Sequence, residues 1–335
     1  MNIGVIGAGG WGTALAILLA EKEHHVGLWQ FEADQVQQMI QERENAVYLP
    51  GVEIPKQVLI SSDLSDVVSD RDMVVFAVPC QFARLVARKA APMLAEHAIV
   101  VNVAKGIENK TLKRMSELLL EEIGGLTPER VATLSGPSHA EEVSRKIPTT
   151  VVAGSKDRST AERIQDAFMT PTFRVYTNSD LVGVELGGAL KNVIALASGI
   201  CDGLGFGDNT KGALLTRGAA EITRLGTAMG ACAETFAGLS GMGDLITTCI
   251  SPHSRNRHVG EKIGKGESLD EVMGRMGGMV AEGVPTTRST YRLAQELQVE
   301  MPITNQMYSV LFEGKTPQDA VFDLMVRDAK PEVWA

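Results

Sequence analysis

At 335 residues the chain exceeds the roughly 250–300 at which single hydrophobic cores stop growing, so two domains are expected. Hydrophobic residues are 44% and charged residues 22%, which excludes a large disordered part, and the apolar runs break well short of the ~20 residues that span a bilayer. The net charge of −9 argues against a nucleic-acid or anionic-membrane surface, so basic residues gathered in one place point to a small anionic ligand.

The first twelve residues set the architecture. Ile3, Val5 and Ile6 form a β-branched run that reads as a buried strand, and Thr13 to Ala20 reads as an apolar helix. Between them Gly7, Gly9 and Gly12 fall in the G-x-G-x-x-G spacing. Gly7 makes the tight turn, Gly9 lets the backbone approach a pyrophosphate, and Gly12 lets the helix pack close on the sheet. The free N–H groups of the helix start point at that phosphate. Val26 to Trp29 completes a βαβ unit, the context the fingerprint requires for dinucleotide binding. The following Trp29-Gln-Phe-Glu32 places its acid late for a ribose contact, and no Lys or Arg appears before Arg43 to meet a 2′-phosphate. NAD and NADP both stay open.

Residues Ala33 to Glu44 read as a polar, outward-looking helix and Asn45 to Pro55 as a loop. Apolar strands then recur with helices between them at Val58–Ile60, Met73–Ala77, Ile99–Val103, Val131–Leu134, Thr150–Ala153 and Phe173–Tyr176. This alternation predicts an α/β Rossmann-type domain with a mostly parallel sheet, whose ligands lie beyond the carboxyl ends of the strands. At those ends stand Lys105 beside Gly106, either a ligand contact or a solvated loop lysine, and the turn Ser135-Gly-Pro-Ser-His139, either an anion-capturing turn or a helix cap. His139 has Glu142 one helical turn on, but the charged helix Glu141 to Lys146 reads as a solvated setting, poor for acid–base work.

Near residue 178 strand-like runs give way to helical periodicity, which divides the chain into 1–178 and an all-helical 179–335. An apolar helix over Leu181–Cys201 carries Gly187, Gly188, Lys191, Asn192, Ala195 and Ser198 on one face. Residues that small leave a clearing for a ligand around Lys191, whose burial would lower its pKa toward that of a general base. A snorkelling lysine is the bland alternative. Asp244, between glycines and an apolar stretch, is a partner for Lys191 or for a substrate hydroxyl, or else a helix cap. Ser254-Arg-Asn-Arg257 offers a hydroxyl, two guanidiniums and an amide near a helix start, suited to a phosphate, or forms a solvated basic turn. The scattered Cys80, Cys201, Cys232 and Cys249 fit neither a disulfide framework nor a zinc site, so no metal is expected, and with no targeting segment a reduced cytoplasm is.

Taken in order, the motifs Gly7–Ala14, Ala104-Lys-Gly106, Ser135-Gly-Pro137, Leu186–Asn192, Gly241-Met-Gly-Asp244 and Ser254–Arg257 resemble bacterial-type NAD(P)-dependent glycerol-3-phosphate dehydrogenases over essentially the whole chain. The resemblance implies hydride transfer between dihydroxyacetone phosphate and sn-glycerol 3-phosphate, which supplies phospholipid synthesis, with a phosphorylated small molecule as substrate, a homodimer and no membrane insertion. It implies Lys191 as proton acceptor with Lys105 and Asp244 as companions. Gly136, Ser138, Asn192, Thr248, Ser254, Arg255 and Asn256 would contact the substrate. Gly7, Gly9, Gly10, Trp11, Gly12, Phe31, Lys105, Ala140, Arg255, Val280 and Glu282 would touch NAD or NADP. Phe31 departs from the His or Arg often found there, and His139 is not catalytic in that family. The rival resemblances are a 3-hydroxyacid or 6-phosphogluconate type of dehydrogenase and a non-catalytic dinucleotide sensor.

Overall fold

The computed structural model describes residues 1–277, 280–329 and 331–332. The sheet half contains β1 (Asn2–Ile6), α1 (Gly10–Glu21), β2 (His25–Trp29), α2 (Ala33–Glu42), β3 (Glu44–Asn45), β4 (Leu49–Glu53), β5 (Leu59–Ser61), α3 (Leu64–Val68), β6 (Met73–Phe76), α4 (Cys80–Ala90), β7 (Ile99–Asn102), α5 (Met115–Glu122), β8 (Val131–Ser135), α6 (Ala140–Val143), β9 (Thr149–Ser155), α7 (Arg158–Phe168) and β10 (Phe173–Asn178). After it come α8 (Leu181–Gly203), α9 (Asp208–Ala228), α10 (Ala233–Phe236), α11 (Asp244–Ile250), α12 (Arg255–Gly264), α13 (Leu269–Gly274), α14 (Gly283–Glu296), α15 (Pro302–Phe312) and α16 (Pro317–Met325).

Eight strands form one sheet in the order β10-β9-β8-β7-β6-β1-β2-β5. Neighbours run parallel except β8 and β9, so β9 and β10 point against the rest. Strand periodicity decides which side each residue serves. Ile3, Val5, Met73, Val75, Ile99 and Val101 join the core under α1, whereas Ile6, Val74, Phe76 and Val100 join the core under α4 and α5. Both faces are therefore covered, as near-continuous apolar strands require. The sheet half is a Rossmann-like domain, and the remainder is helical.

The helical half is built around α8, in which Leu186, Leu190, Val193, Ile194 and Leu196 are all at most 1% exposed. α12 crosses it at glycines: a Cβ on Gly199 would lie 1.9 Å from the Arg257 carbonyl oxygen, and one on Gly260 2.0 Å from that of Leu196. By length and a mean hydropathy of 1.4, α8 is apolar enough to cross a membrane, contrary to the sequence expectation. Yet 94% of that window is buried inside the protein. It is a core helix.

The structure corrects two local readings. The expected loop from Asn45 contains the antiparallel pair β3–β4. Asn45 holds this hairpin to the glycine turn, donating from Nδ2 to the Ala8 carbonyl at 2.7 Å and to Thr13 Oγ1 at 2.9 Å. The helix expected to reach Glu44 stops at Glu42, because Arg43 takes a left-handed backbone conformation with φ 51°.

Candidate active site

The lysines that the sequence places 86 positions apart meet at one carboxylate. Lys191 lies in the middle of α8, and Lys105 stands three residues beyond β7. Asp244 opens α11 directly after the π-helical turn Leu239–Gly243. Its Oδ1 accepts from Lys191 Nζ at 2.6 Å and its Oδ2 from Lys105 Nζ at 2.7 Å. Asp244 is therefore the electrostatic bridge between the halves, and no cap to its own helix. Lys191 donates further to Thr248 Oγ1 at 2.5 Å, and Lys105 to the Gly136 carbonyl at 3.0 Å.

Two ammonium groups share one buried carboxylate, so the cluster carries a surplus positive charge in a dry place. Burial lowers the Lys191 pKa to about 8, against the attraction of Asp244, and the Lys105 charge lowers it further. Desolvation would raise the Asp244 carboxyl, but the Lys105 and Lys191 ammonium groups outweigh it and hold the group below its ordinary range. An amine that exchanges a proton near neutrality beside a fixed carboxylate suits general acid–base work.

The clearing expected from the small residues of α8 is only partly open. A Cβ on Gly187 would sit 2.6 Å from the Ser240 carbonyl oxygen, so backbone fills that side. Ser198 is likewise occupied, donating to the Cys249 carbonyl at 3.0 Å. Gly188 instead faces Ser135 Oγ and the stem of Lys105. An amide chain then runs outward from the lysines. Asn192 donates to the Lys105 carbonyl at 3.2 Å and accepts from Asn256 at 2.9 Å, while Asn256 accepts from the Gly283 N–H at 2.8 Å.

Of the Ser-Arg-Asn-Arg cluster, Ser254 caps α12 by accepting from the Arg257 N–H at 3.2 Å. Arg257 pairs with Asp202 at 2.7 Å and is withdrawn from any phosphate. Arg255 is exposed and forms no hydrogen bond or ion pair among the described residues, with the Glu282 carboxyl as its electrostatic neighbour. One guanidinium of the cluster, not two, is left unpaired. Ser138 lies on the turn after β8, its hydroxyl donating to the Gly136 carbonyl at 2.9 Å.

At the sheet end, Gly7 has φ +110°, and a Cβ on Gly12 would meet the Gly7 carbonyl oxygen at 1.9 Å. Gly9 has open space, with nothing within 4 Å of where its Cβ would be. Open space above the α1 start, where a helix leaves its first N–H groups free, suits a phosphate. Gly10 lies under the Tyr48 carbonyl and beside Ala140. Trp11 Nε1, Ser135 Oγ, His139 Nε2 and Glu282 Oε2 are buried with no hydrogen-bond partner. Such orphaned groups are costly unless something else satisfies them, so these residues fit a bound dinucleotide and substrate. Glu282 also accepts from the Cys80 N–H at 3.0 Å, and burial pushes its carboxyl up to about 7. Val280 is half-buried two residues earlier, while Phe31 is 72% exposed two residues past the end of β2.

The sequence left Ser135 between an anion-capturing turn and a helix cap, and it read His139 as solvated. It had no signal for Glu185, fully buried on α8, which accepts from the Ser116 N–H and hydroxyl at 2.7 Å each and pairs with Arg114.

Residues 2–161 match the family described as NAD-dependent glycerol-3-phosphate dehydrogenase N-terminus, and residues 180–322 match the corresponding C-terminus. An NAD(P)-dependent glycerol-3-phosphate dehydrogenase of Prosthecochloris aestuarii is 53% identical over 333 residues, covering 99% of this chain and 100% of its own. One from a Thermoanaerobacter species is also 53% identical, covering 99% of both. A crystal structure of glycerol-3-phosphate dehydrogenase from Coxiella burnetii superposes with a TM-score of 0.93 at 37% identity, covering 97% of this chain and 98% of its own. D-mandelate dehydrogenase, at 12% identity and a TM-score of 0.64, shares the fold alone. The chain belongs to the NAD-dependent glycerol-3-phosphate dehydrogenase family.

Proposed function

We propose that the site interconverts sn-glycerol 3-phosphate and dihydroxyacetone phosphate by an NAD(P)-dependent hydride transfer. The observation that supports it most is the buried pair of lysines on Asp244, one with its pKa brought to about 8, in a chain that also carries an open glycine turn at the start of α1. When bound, the nicotinamide supplies or accepts the hydride.

Lys191 in its ammonium form gives a proton to the oxygen that becomes the hydroxyl, and as the amine it takes that proton back. Asp244 and Thr248 hold Lys191 in place, Lys105 adds a second positive charge beside the reacting oxygen, and Asn192 fixes the Lys105 loop. Gly136, Ser138, Ser254, Arg255 and Asn256 form the phosphate end. Asn256 spends both side-chain ends on Asn192 and Gly283, so it contributes by aligning them. Gly7, Gly9, Gly10, Trp11, Gly12, Phe31, Ala140, Val280 and Glu282 take the dinucleotide, with Arg255 and Lys105 shared. Phe31 offers an aromatic face where a cation for a 2′-phosphate would stand, which favours NADH.

The wider reading divides the domains at residue 178, between the end of β10 and the start of α8, and places the protein in a reducing cytoplasm as a source of glycerol 3-phosphate for phospholipids. Four free cysteines agree with such a compartment. A homodimer completes it, with Phe322, Met325 and Val326, 63%, 79% and 59% exposed, giving an apolar face for association. Following NADH and NADPH oxidation with dihydroxyacetone phosphate tests the reaction and the cofactor together. Turnover of hydroxyacids instead, or dinucleotide binding without any turnover, would overturn it.

A further inference from the structure

His139 is the N-cap of α6, between Ser138 and Ala140 on the turn that leaves β8. Its ring meets that of His253, with centroids 5.8 Å apart and planes at 52°. His253 belongs to the turn between α11 and α12, directly before Ser254 and two residues before Arg255. The ring pair thus joins the two turns that carry the phosphate end of the site, one from each half of the molecule. His139 Nε2 is buried there and has no partner.

We infer that His139 is a further substrate-binding residue, which donates from Nε2 to the substrate's phosphate with the His253 ring behind it; this rests on the function proposed above. A neutral imidazole carries one N–H, and on Nε2 it would be a buried donor with no acceptor in the protein. A phosphate between Ser138 and Arg255 supplies that acceptor. The charged groups acting on the ring are Lys191 on α8, Lys105 beyond β7, Glu141 on α6 and Asp244 on α11. Burial and the two ammonium groups hold the imidazole neutral, with a pKa of about 4. An entering dianion offsets those ammonium charges and raises the proton affinity of His139, so substrate binding is accompanied by proton uptake.

Two variants of the full chain separate this role from packing. His139→Phe keeps a ring against His253 but no donor; His139→Gln keeps a donor but no ring. His139→Phe is expected to raise KM for dihydroxyacetone phosphate about tenfold, as for loss of one charge-assisted hydrogen bond, and to leave kcat/KM for unphosphorylated dihydroxyacetone level. His139→Gln recovers part of the loss. Calorimetric titration of sn-glycerol 3-phosphate with the enzyme–NADH complex, in two buffers of different ionisation enthalpy near pH 6.5, should show less proton uptake for His139→Phe than for wild type. A normal His139→Phe beside an impaired His139→Gln would make the ring a packing group, and unchanged proton uptake would remove the proton coupling; either overturns the proposal. Wild type that turns over no dihydroxyacetone phosphate would instead break the functional reading, and this proposal with it.

Discussion

Two residues carry the chemistry in separable ways. Lys191 sets the direction of pH dependence, because burial brings its amine to a pKa of about 8. Oxidation of glycerol 3-phosphate needs the neutral amine, so its rate should rise about tenfold per pH unit below 8 and level off above it. Reduction needs the ammonium form and should fall off above the same pH. Lys191→Ala should lower kcat by about 10²–10⁴-fold and abolish that pH limb, with NADH affinity nearly unchanged by fluorescence titration. Retention of more than a tenth of kcat would exclude it as the proton carrier. Arg255 should act on substrate recognition. A charge-assisted contact is worth about 1.5–3 kcal/mol, so Arg255→Ala should cut kcat/KM for dihydroxyacetone phosphate by roughly 10–150-fold. Dihydroxyacetone, which lacks the phosphate, serves as control and, at saturating NADH, should hardly respond. Arg255→Lys should recover only part of the loss, since an ammonium cannot form the planar two-bond fork. Equal weakening of both substrates would assign Arg255 to structure or to the cofactor.

At the scale of elements, legibility followed the range of the interaction. The eight strands of the main sheet could be read because β-branched runs and glycine punctuation are local signals. Lys191 stood out because a cation in a long apolar stretch is locally anomalous. Its bond to Asp244, by contrast, joins residues 53 apart, so the sequence could offer that partner only as one alternative among several, and the Glu185 tie to Ser116, 69 apart, not at all. No spacing rule encodes either. The β3–β4 hairpin escaped because it is two and five residues long and is anchored by the Asn45 amide. The opening glycines were assigned separate roles from sequence, and the geometry divides them by experiment. Gly9→Ala meets no atom within 4 Å, so it should leave Tm unchanged and weaken NADH binding by intruding on the open space above the α1 start. In Gly12→Ala the new methyl would fall 1.9 Å from the Gly7 carbonyl oxygen and force α1 off the sheet. It should lower Tm by several degrees, as overpacking costs about 1–3 kcal/mol. Thermal melts and NADH titrations of the pair should give opposite patterns. The same pattern from both would refute the division.

At the scale of the whole molecule, buried carboxylates away from the chemistry couple fold stability to pH. Glu221 on α9 points its carboxylate at the start of α15, accepting from the Ile303 N–H at 2.6 Å and from the Thr304 N–H at 3.2 Å. It thereby satisfies donors that a helix start leaves free. It also lines a cavity of about 500 Å³ shared with Ile303, Met307 and Leu324. Burial pushes the group up to about 7 from an ordinary 4.5, although the N–H bonds pull the other way. Between those two values the folded protein holds a proton that the unfolded chain has released. Stability from this group is therefore fully present below about pH 4.5 and is lost as pH rises through 7. At 1.36 kcal/mol per unit, the loss amounts to roughly 3 kcal/mol. Glu221→Gln cannot titrate, and its amide oxygen still accepts one N–H bond. Urea unfolding of wild type and variant at pH 5, 6, 7 and 8 should show the wild type losing stability relative to Glu221→Gln across that range. Glu282, which also lies near 7, titrates in both proteins and cancels from the difference. Parallel pH curves for the two would mean that Glu221 is ionised throughout, with the α15 N–H groups outweighing its burial.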